Sequence, residues 1–517
     1  MSTSRRHDRT APRLMTAFLV CFFLTVGLRA GQSTHDHAVP ETLGSVSFAT
    51  SCKPAVQKDF ERSVALLHSF AYSAAEASFK QVAEKDPNCA IAHWGIAMTY
   101  FHQLWDPPIQ RDAISQGREE IRRAQEIGGS TELERGFISA LALFYNRDFA
   151  AIPYRPRVYE YERAMGELAA AYPNDAESQV FYALALLASA SPFDKAHSGQ
   201  KHAVKILGPL FHEYPQHPGI AHYLIHACDN REMARQGLDA AHAYSIIAPS
   251  APHALHMPSH IFTRLGIWSE SITSNLAARA AAQKQADTGE ELHAMDYLVY
   301  AYLQEGRERE ANEVIEQLKA MSSLDESDFK IAYAATAMPV RYALERRQWA
   351  EAATIVPVRG APAHVTAVAV WARAIGLARS GHATGARQEV EKLRQLERQL
   401  RASGEQNAQY WAKQVEIQKV EAMAWLALAE GEADEARNLL RKAADDEDAF
   451  EKLPVTPGPV IPAREQLGDL LQQQGQPKQA LEEFQISLSN CPRRRGAMIG
   501  VARASGCASC PAVLPTR

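Results

Sequence analysis

The sequence predicts an all-α fold, a superhelix of antiparallel helix pairs, and three observations lead to this prediction. With 517 residues the chain exceeds one ordinary hydrophobic core, whereas an array of repeats grows by adding units. Stretches rich in Ala, Leu, Glu and Arg dominate it, and strand-like runs of alternating Val, Ile and Thr are nearly absent. Small residues, large apolar residues and prolines also recur in a similar order over residues 55–492.

The clearest unit lies near the C-terminus and has the pattern of a helix–turn–helix. Gly468 and Ala480 are small enough to let two helices pack closely, and Pro492 stops the second helix. Large apolar residues fill the space between them, namely Leu467, Leu471, Phe484 and Leu488. The pattern resembles the tetratricopeptide repeat (TPR), a helix pair of about 34 residues. Weaker copies extend the resemblance over most of the chain, which implies a TPR α-solenoid.

The repeat register divides the chain into consecutive segments. By residue number they are a signal peptide (1–30), a flexible N-terminal segment (31–50), N-terminal TPR-like repeats (51–210), central His-rich repeats (211–320), C-terminal repeats (321–452), a Pro-rich linker (453–462), a final TPR (463–496) and an irregular tail (497–517). The linker is predicted from its four prolines, and the tail because the pattern fades after Gly496.

The first thirty residues have the pattern of a signal peptide, with a basic start, an apolar run over residues 14–28 and a small residue, Ala30. An uncleaved anchor is the alternative, but the run is short for a spanning helix of about 20 residues. No later segment is apolar enough to span a bilayer. We therefore expect an exported protein, periplasmic or secreted, with no membrane span once the signal is removed.

The charge of the mature chain argues against nucleic-acid binding. The whole chain has a formal charge of −5, and the first thirty residues contain five arginines and one aspartate. Their removal leaves 50 basic against 59 acidic residues, a charge of −9. An acidic protein without a basic stripe is a poor binder of nucleic acid or anionic membranes.

Two cysteines are predicted to pair because of the repeat. In an array of helix pairs the chain returns to the same edge once per repeat, and Cys52 and Cys89 lie at equivalent edges of repeats one and two. Export favours a disulfide between them, and two buried thiols are the alternative. Cys507 and Cys510 form a C-x-x-C in the tail, interpreted as a local disulfide or free thiols, with redox chemistry as the lesser alternative.

The 19 histidines are unevenly distributed, and an unusual share falls between residues 212 and 293. Two stretches space their members so that they share one helix face, namely His222, His226 and Asp229, and then His253, His256 and His260. Pro258 must kink or begin a helix within the second stretch. A third group, His293 and Asp296, is three residues apart.

The TPR resemblance implies that the first helix of each repeat lines the concave groove. In that register three consecutive first helices direct His and Asp into the same space, because packed helices are roughly 8–10 Å apart. Imidazole and carboxylate on facing helices are a usual transition-metal site. The predicted ligands, for Zn, Fe, Mn or Cu, are His222, His226, Asp229, His253, His256, His260, His293 and Asp296. We expect the ring nitrogens of His222, His226 and His260 to converge.

Two alternatives to a metal site remain at this point, a polar groove for a ligand without metal and histidines with a purely structural role. The candidate ligand-binding residues are His217, Tyr223, Trp94 and His93. The H-E-x-x-H signature of zinc hydrolases is absent, so no reaction is indicated. Cys228 lies beside the histidines, and nucleophilic catalysis by its thiol is a minor alternative.

Three strings resemble a group of exported bacterial TPR proteins, namely SCKPAVQKDFERSVALLHSF (51–70), HPGIAHYLIHACDN (217–230) and APHALHMPSHIFTRLGIW (251–268). The resemblance implies the fold and export but no mechanism. The predicted function is an exported TPR scaffold that binds a protein, peptide or small ligand in its concave groove, with a His/Asp metal site. The alternative is a metal-dependent enzyme or metal carrier built on the same groove.

Overall fold

The computed structural model describes residues 41–104, 111–146, 152, 154–404, 407–449 and 451–506. Within these ranges the regular elements are helices, and successive helices pack as antiparallel pairs. The predicted all-α, TPR-type superhelix is therefore confirmed. Three hydrophobic clusters follow one another along the chain, from Leu43 to Phe262, from Trp268 to Tyr342 and from Phe329 to Ala497.

Eight helices form the N-terminal part. They are α1 (Gln57–His68), α2 (Tyr72–Lys85), α3 (Ala90–Tyr100), α4 (Arg111–Ile127), α5 (Glu132–Tyr145), α6 (Tyr154–Ala171), α7 (Ala176–Ser189) and α8 (Ser198–Glu213). Side-chain caps fix two of their starts. Thr131 and Glu134 form a reciprocal capping box at α5, and Asp175 accepts the Ser178 N–H at α7.

Seven helices form the central part: α9 (Pro218–Cys228), α10 (Leu238–Ile247), α11 (Pro252–His256), α12 (Pro258–Leu265), α13 (Trp268–Gln285), α14 (Thr288–Gln304) and α15 (Glu308–Ala320). Prolines occupy the first helical position of α9, α11 and α12, where the missing N–H costs nothing. Pro258 therefore begins a new helix, so the second histidine stretch is split between α11 and α12.

Nine helices form the C-terminal part: α16 (Phe329–Glu345), α17 (Trp349–Ala352), α18 (Ala363–Arg379), α19 (Ala383–Ala402), α20 (Ala408–Ala429), α21 (Ala433–Glu447), α22 (Ala463–Gln473), α23 (Pro477–Asn490) and α24 (Arg495–Ala504). Gly475 joins α22 to α23 at a φ of +70°, a conformation that glycine adopts without steric cost.

The predicted irregular tail is wrong over residues 497–504, because α24 covers them. The ring of Phe484 on α23 lies between Gly468 on α22 and Gly500 on α24, and a Cβ added at either glycine would come within 2.8 Å of that ring. The small residues thus let a third helix cover the final pair. The sequence reading missed this helix because it relied on the repeat pattern, which ends at Pro492.

The two segments predicted to be flexible or linking are also packed where the structure describes them. Residues 42–50 form no regular secondary structure, and Leu43, Val46 and Phe48 are buried in the first cluster. The Pro-rich segment 451–462 is no exposed linker, because Val455 and Val460 are buried in the interior. Each segment carries apolar side chains among its prolines and polar residues, and removing those side chains from water favours the packed arrangement.

The residues between α23 and α24 contact helices of the preceding repeats. The Trp268 indole donates to the Arg493 carbonyl at 3.0 Å, and the fully buried Arg494 reaches Tyr300 on α14 and Glu345 on α16. Farther back, Glu451 donates its N–H to the Pro192 carbonyl at 3.3 Å. The C-terminal part of the superhelix therefore packs against its central and N-terminal parts, and segment 451–462 lies between them.

The predicted disulfide between Cys52 and Cys89 is confirmed, with the two Cα atoms 4.8 Å apart. Cys507 and Cys510, like the predicted signal peptide, lie outside the described residues, so those predictions stay untested. Along the described chain, none of the helices combines the length and apolarity needed to cross a bilayer.

We expect the Cys52→Ser/Cys89→Ser variant to lower the free energy of unfolding by about 3–4 kcal/mol. The disulfide closes a loop with a sequence separation of 37, and a loop of that length loses this much unfolded-state entropy when closed. Urea unfolding would measure the loss. Wild-type protein in a reducing agent should match the variant, and equal stability of oxidised and reduced protein would contradict the prediction.

Candidate metal centre

Four helices carry six histidines to one buried place beside segment 451–462. His222 and His226 are on α9, His253 and His256 on α11, His260 on α12 and His293 on α14. Five of these side chains are buried, with exposures between 0% and 5%, and His226 is partly buried. Local sequence fixes the helix starts. His217 caps α9 by accepting the Ile220 N–H, and Asp287 caps α14 by accepting the Glu290 N–H.

The first group of three, His222, His226 and His253, is called triad 1. The Nε2 atom of His222 lies 3.0 Å from that of His226 and 3.2 Å from that of His253. A tetrahedral ion bonded to nitrogens at about 2.0–2.1 Å would set neighbouring nitrogens about 3.3 Å apart. The spacing in triad 1 is therefore close to the spacing that one shared metal ion requires.

The partners of the other ring nitrogens show where the protons are. His222 Nδ1 lies 2.6 Å from the carbonyl of His68, and His253 Nδ1 lies 3.4 Å from a Glu290 carboxylate oxygen. Both partners can only accept, so each Nδ1 carries a proton. Because burial keeps His222 neutral, its Nε2 atom carries a lone pair, and this lone pair faces the Nε2 atoms of His226 and His253.

The second group, His256, His260 and His293, is called triad 2 and repeats this arrangement. The Nε2 atoms of His256 and His260 are 3.0 Å apart, and His293 contributes a third ligand atom within 4.8 Å of both. His256 Nδ1 donates to Asn275 Oδ1 at 2.7 Å, and the Asn275 amide is oriented by donating to the Ser271 carbonyl at 2.7 Å. Both Nε2 atoms of this pair are again lone pairs, since His260 Nδ1 donates to Asp229 at 2.9 Å.

Burial keeps these imidazoles neutral. It lowers the pKa of His222, His226, His256 and His293 well below the usual 6.5, and neighbouring histidines lower these values further. Burial also lowers the pKa of His260 to about 4, although Asp229 opposes the shift. Neutral imidazole is the form that binds metal, so protons do not compete at neutral pH.

Asp229 contacts triad 2 through the ring of His260. It follows α9 as the residue after Cys228, and its carboxylate also accepts from Arg264 at 2.8 Å and from Lys452 at 2.6 Å. Burial opposes its ionisation, yet Lys452 and Arg264 keep the pKa of Asp229 well below its usual range. Burial lowers the pKa of Lys452 to about 8, so both groups are charged at neutral pH.

The two aspartates predicted as ligands are therefore placed differently from the histidines. Asp229 contacts His260 of triad 2 through its Nδ1 atom and so orients that ring. Asp296 points toward Arg341, 3.8 Å away, and burial raises the pKa of its carboxyl to about 6. The expectation that His222, His226 and His260 converge is wrong for His260, because His253 completes triad 1.

Three of the four candidate ligand-binding residues, His217, Tyr223 and Trp94, are buried, and His93 is partly buried. His217 and His68 donate from Nε2 to the two oxygens of Glu177, each at 2.9 Å, and Tyr223 donates to His68 Nδ1 at 2.9 Å. Trp94 is fully buried against Phe48, Phe137 and Phe181, and His93 Nδ1 lies 2.6 Å from Glu120. Cys228 is also buried, which raises the pKa of its thiol to about 12, so its thiol is not activated as a nucleophile.

Several supporting residues had no sequence signal. His68 is separated from α9 by about 150 residues, and Lys452 is separated from Asp229 by 223. Asn275 lies on α13, in no histidine pattern. Only Glu290 could have been found, since it is one helical turn before His293 on α14 and lies close to the predicted site.

Fold and site together define a solenoid of helix pairs with a buried polyhistidine centre. Neither a protein-family model nor a curated protein sequence matches the chain. Among solved structures, it is similar to yeast Tom70 at 11% identity and a TM-score of 0.33, over 86% of this chain and 87% of that one. It is also similar to the APC/C hetero-tetramer Cut9–Hcn1 at 13% identity and a TM-score of 0.34, over 88% of this chain and 77% of that one. It is similar, too, to a monomeric IFIT1 mutant with m7Gppp-AAAA, at 11% identity and a TM-score of 0.38, over 81% of this chain and 90% of that one. Similarity at this level does not extend to function.

Proposed function

We propose that this protein is an exported TPR-type scaffold that binds a transition metal through its buried histidines. The observation that carries the proposal is the convergence of ring nitrogens in two triads, in which four of the six histidines have an acceptor at Nδ1. In triad 2 the Nε2 lone pairs of His256 and His260 face each other at 3.0 Å, which a structural role alone does not account for. A histidine with only a structural role satisfies its ring nitrogens with hydrogen-bond partners, as His68 and His217 do around Glu177.

The donor atoms favour Zn, Cu or Fe over Mn, Mg or Ca. Every atom in the two triads is an imidazole nitrogen, whereas the harder cations prefer carboxylate, carbonyl and water oxygens. The carboxylates of Glu290 and Asp229 accept from ring nitrogens instead, the usual second layer around metal-bound histidine.

Elemental analysis of the exported protein, purified without a histidine tag, tests the proposal. We expect near-stoichiometric transition metal in the wild type and its loss in the His222→Ala/His226→Ala variant. The matched control is His202→Ala/His242→Ala, which removes two exposed histidines and should retain the metal. Absence of metal in the wild type, or equal metal in both variants, would contradict the proposal.

A second candidate function is a metal-dependent reaction. Three protein ligands leave one position of a tetrahedral ion free, as in catalytic zinc sites. A cleft of about 120 Å³ reaches the partly buried His226, so a small molecule has a path to triad 1. Screening the metal-loaded protein for hydrolysis and oxidation, with the His222→Ala/His226→Ala variant as the blank, distinguishes this reaction from metal storage or transport.

The scaffold function has its own candidate surface. A larger cleft of about 630 Å³ lies between the start of α2 and the starts of α14 and α16, and His253 and Glu290 form part of its wall. It has the size of a small-ligand or peptide site. Capture of partners by the wild type, but not by a Tyr72→Ala/Lys330→Ala variant, would support binding there.

We expect Asn275→Leu to weaken metal binding by 10–100-fold, the usual effect of losing a partner of a metal-bound histidine. The side chain of Leu is similar in volume but cannot accept the Nδ1 proton of His256. Asn275→Asp keeps an acceptor and should bind as the wild type does. Competition with a chromophoric chelator measures both affinities, and equal weakening by Leu and Asp would contradict the proposed role of Asn275.

A further inference from the structure

We infer that the six histidines hold two metal ions side by side, with one small exogenous ligand between them. The inference rests on the proposed metal-binding function and specifies the number of ions and the ligand class. The ligand atoms form two groups of three, each compact enough for one ion. In triad 1 the Nε2 atom of His222 faces both neighbours at 3.0–3.2 Å, and in triad 2 the Nε2 atom of His256 faces that of His260 at 3.0 Å, with a ligand atom of His293 within 4.8 Å.

The supporting shell is duplicated. Triad 1 has its own acceptors for Nδ1 protons, the His68 carbonyl and Glu290, and triad 2 has Asn275 and Asp229. A site for one ion needs one such set. Two sets, each holding two of the three rings of its own triad, match two ions, because partners of this kind set the tautomer and orientation of a ligand ring.

The triads are neighbours rather than independent sites. The ring centres of His226 in triad 1 and His260 in triad 2 are 6.2 Å apart, and so are those of His253 and His256. His253 and His256 are also one turn apart on α11. Ions held on the facing sides of these rings come close enough to share a ligand, as ions do in two-metal sites with separations of about 3.5–4 Å.

A small cavity lies between the triads at the place where a shared ligand would bind. Its volume is about 10 Å³, and two histidines of each triad line it, His226, His253, His260 and His293. That volume admits about one water-sized molecule. The remaining wall is mainly apolar, formed by Phe70, Leu104, Met257, Pro454 and Val455, so only the histidines and their ions offer polar contacts.

Charge favours an anionic bridge when both ions are divalent. Imidazole ligands carry no negative charge, and the two nearby carboxylates are already compensated, Asp229 by Arg264 and Lys452 and Glu290 by Lys330. Two dications would leave a large uncompensated buried charge, which is unfavourable without a counter-charge. Hydroxide, or another anion of that size, in the cavity lowers that charge, and fluoride is a suitable probe of the same class.

Titration of the metal-free wild type with Cu(II) tests the inference, because two Cu(II) ions joined by a bridging hydroxide couple their electron spins. We expect two copper ions per chain by elemental analysis and an electron paramagnetic resonance signal well below two spins. Fluoride should change the optical spectrum at one fluoride per copper pair. The His222→Ala/His226→Ala and His260→Ala/His293→Ala variants should each retain one copper with one full spin.

The outcomes separate the inference from the proposed function. One copper per chain in the wild type would overturn the pair and leave metal binding standing. Two copper ions with two full spins would overturn the shared ligand. No copper, and no other transition metal in the exported protein, would overturn both. Circular dichroism of each variant shows whether it folds, and the wild-type titration decides the inference even if a variant does not.

Discussion

The metal-free protein should lose stability steeply as the pH falls below about 6.5. Burial lowers the pKa of His222, His226, His256 and His293 well below 6.5 and that of His260 to about 4. In the unfolded chain these histidines titrate near 6.5, so below that pH the unfolded state binds more protons and is favoured. The stability is complete above pH 6.5 and is lost as the pH falls toward 4, at about 1.4 kcal/mol per pH unit for each histidine that stays neutral.

Urea unfolding of metal-free protein between pH 8 and pH 5 measures this slope. Replacing both His256 and His293 with Gln should reduce it by roughly 3 kcal/mol per pH unit, the contribution of two histidines. The control replaces two exposed histidines, His202 and His242, with Gln. Three other histidines, His68, His102 and His364, add to the slope in every variant because burial lowers their pKa, that of His102 to about 4 and that of His364 to about 3. A stability independent of pH in this range would show that the histidines of the triads take up protons as readily in the folded protein as in the unfolded chain.

Arg494→Leu should lower the free energy of unfolding by about 3–5 kcal/mol, the cost of leaving a buried charge without its partner. The Arg494 guanidinium has no exposed surface and donates to Glu465, to Glu345 at 2.7 Å and to the Tyr300 hydroxyl at 2.9 Å. Leucine leaves both carboxylates buried without a cation. Thermal or urea unfolding would measure the loss.

Two further variants identify the cause. Arg493→Gln changes the exposed neighbour and should cost little, since the Arg493 contact with Trp268 uses its backbone carbonyl. Arg494→Leu combined with Glu345→Gln and Glu465→Gln should recover part of the stability, because neutral amides cost less to bury than unpaired carboxylates. No recovery in the triple variant would indicate that Arg494 stabilises the fold by packing alone.

The fold was predictable because the repeat leaves a local signature. Small residues opposite large ones, such as Gly468 opposite Phe484, are close in sequence and meet in one helix pair. The same rule explains the disulfide, since Cys52 and Cys89 are about one repeat apart. It fails for α24 and for segment 451–462, whose partners are set by the closing of the superhelix and not by the repeat.

The sequence predicts which side chains of the candidate site share a face only where those residues belong to one helix. The i, i+4 spacing of His222 and His226 correctly places both rings on one face of α9. The argument fails for Asp229, because α9 ends at Cys228 and the helical spacing ends with it. It also fails at Met257, where α11 gives way to α12, so His253 belongs to triad 1 and His260 to triad 2.

The position of segment 451–462 between the parts of the superhelix has a consequence for the order in which the centre is completed. A ribosome makes residues 222–293, which contain all six histidines, long before it makes Pro454 and Val455, which cover them. An ion bound early would be enclosed when the last repeats fold back. Exchange of that ion would then be limited to the cleft at His226, so release should be slower from the folded protein than from the incomplete chain.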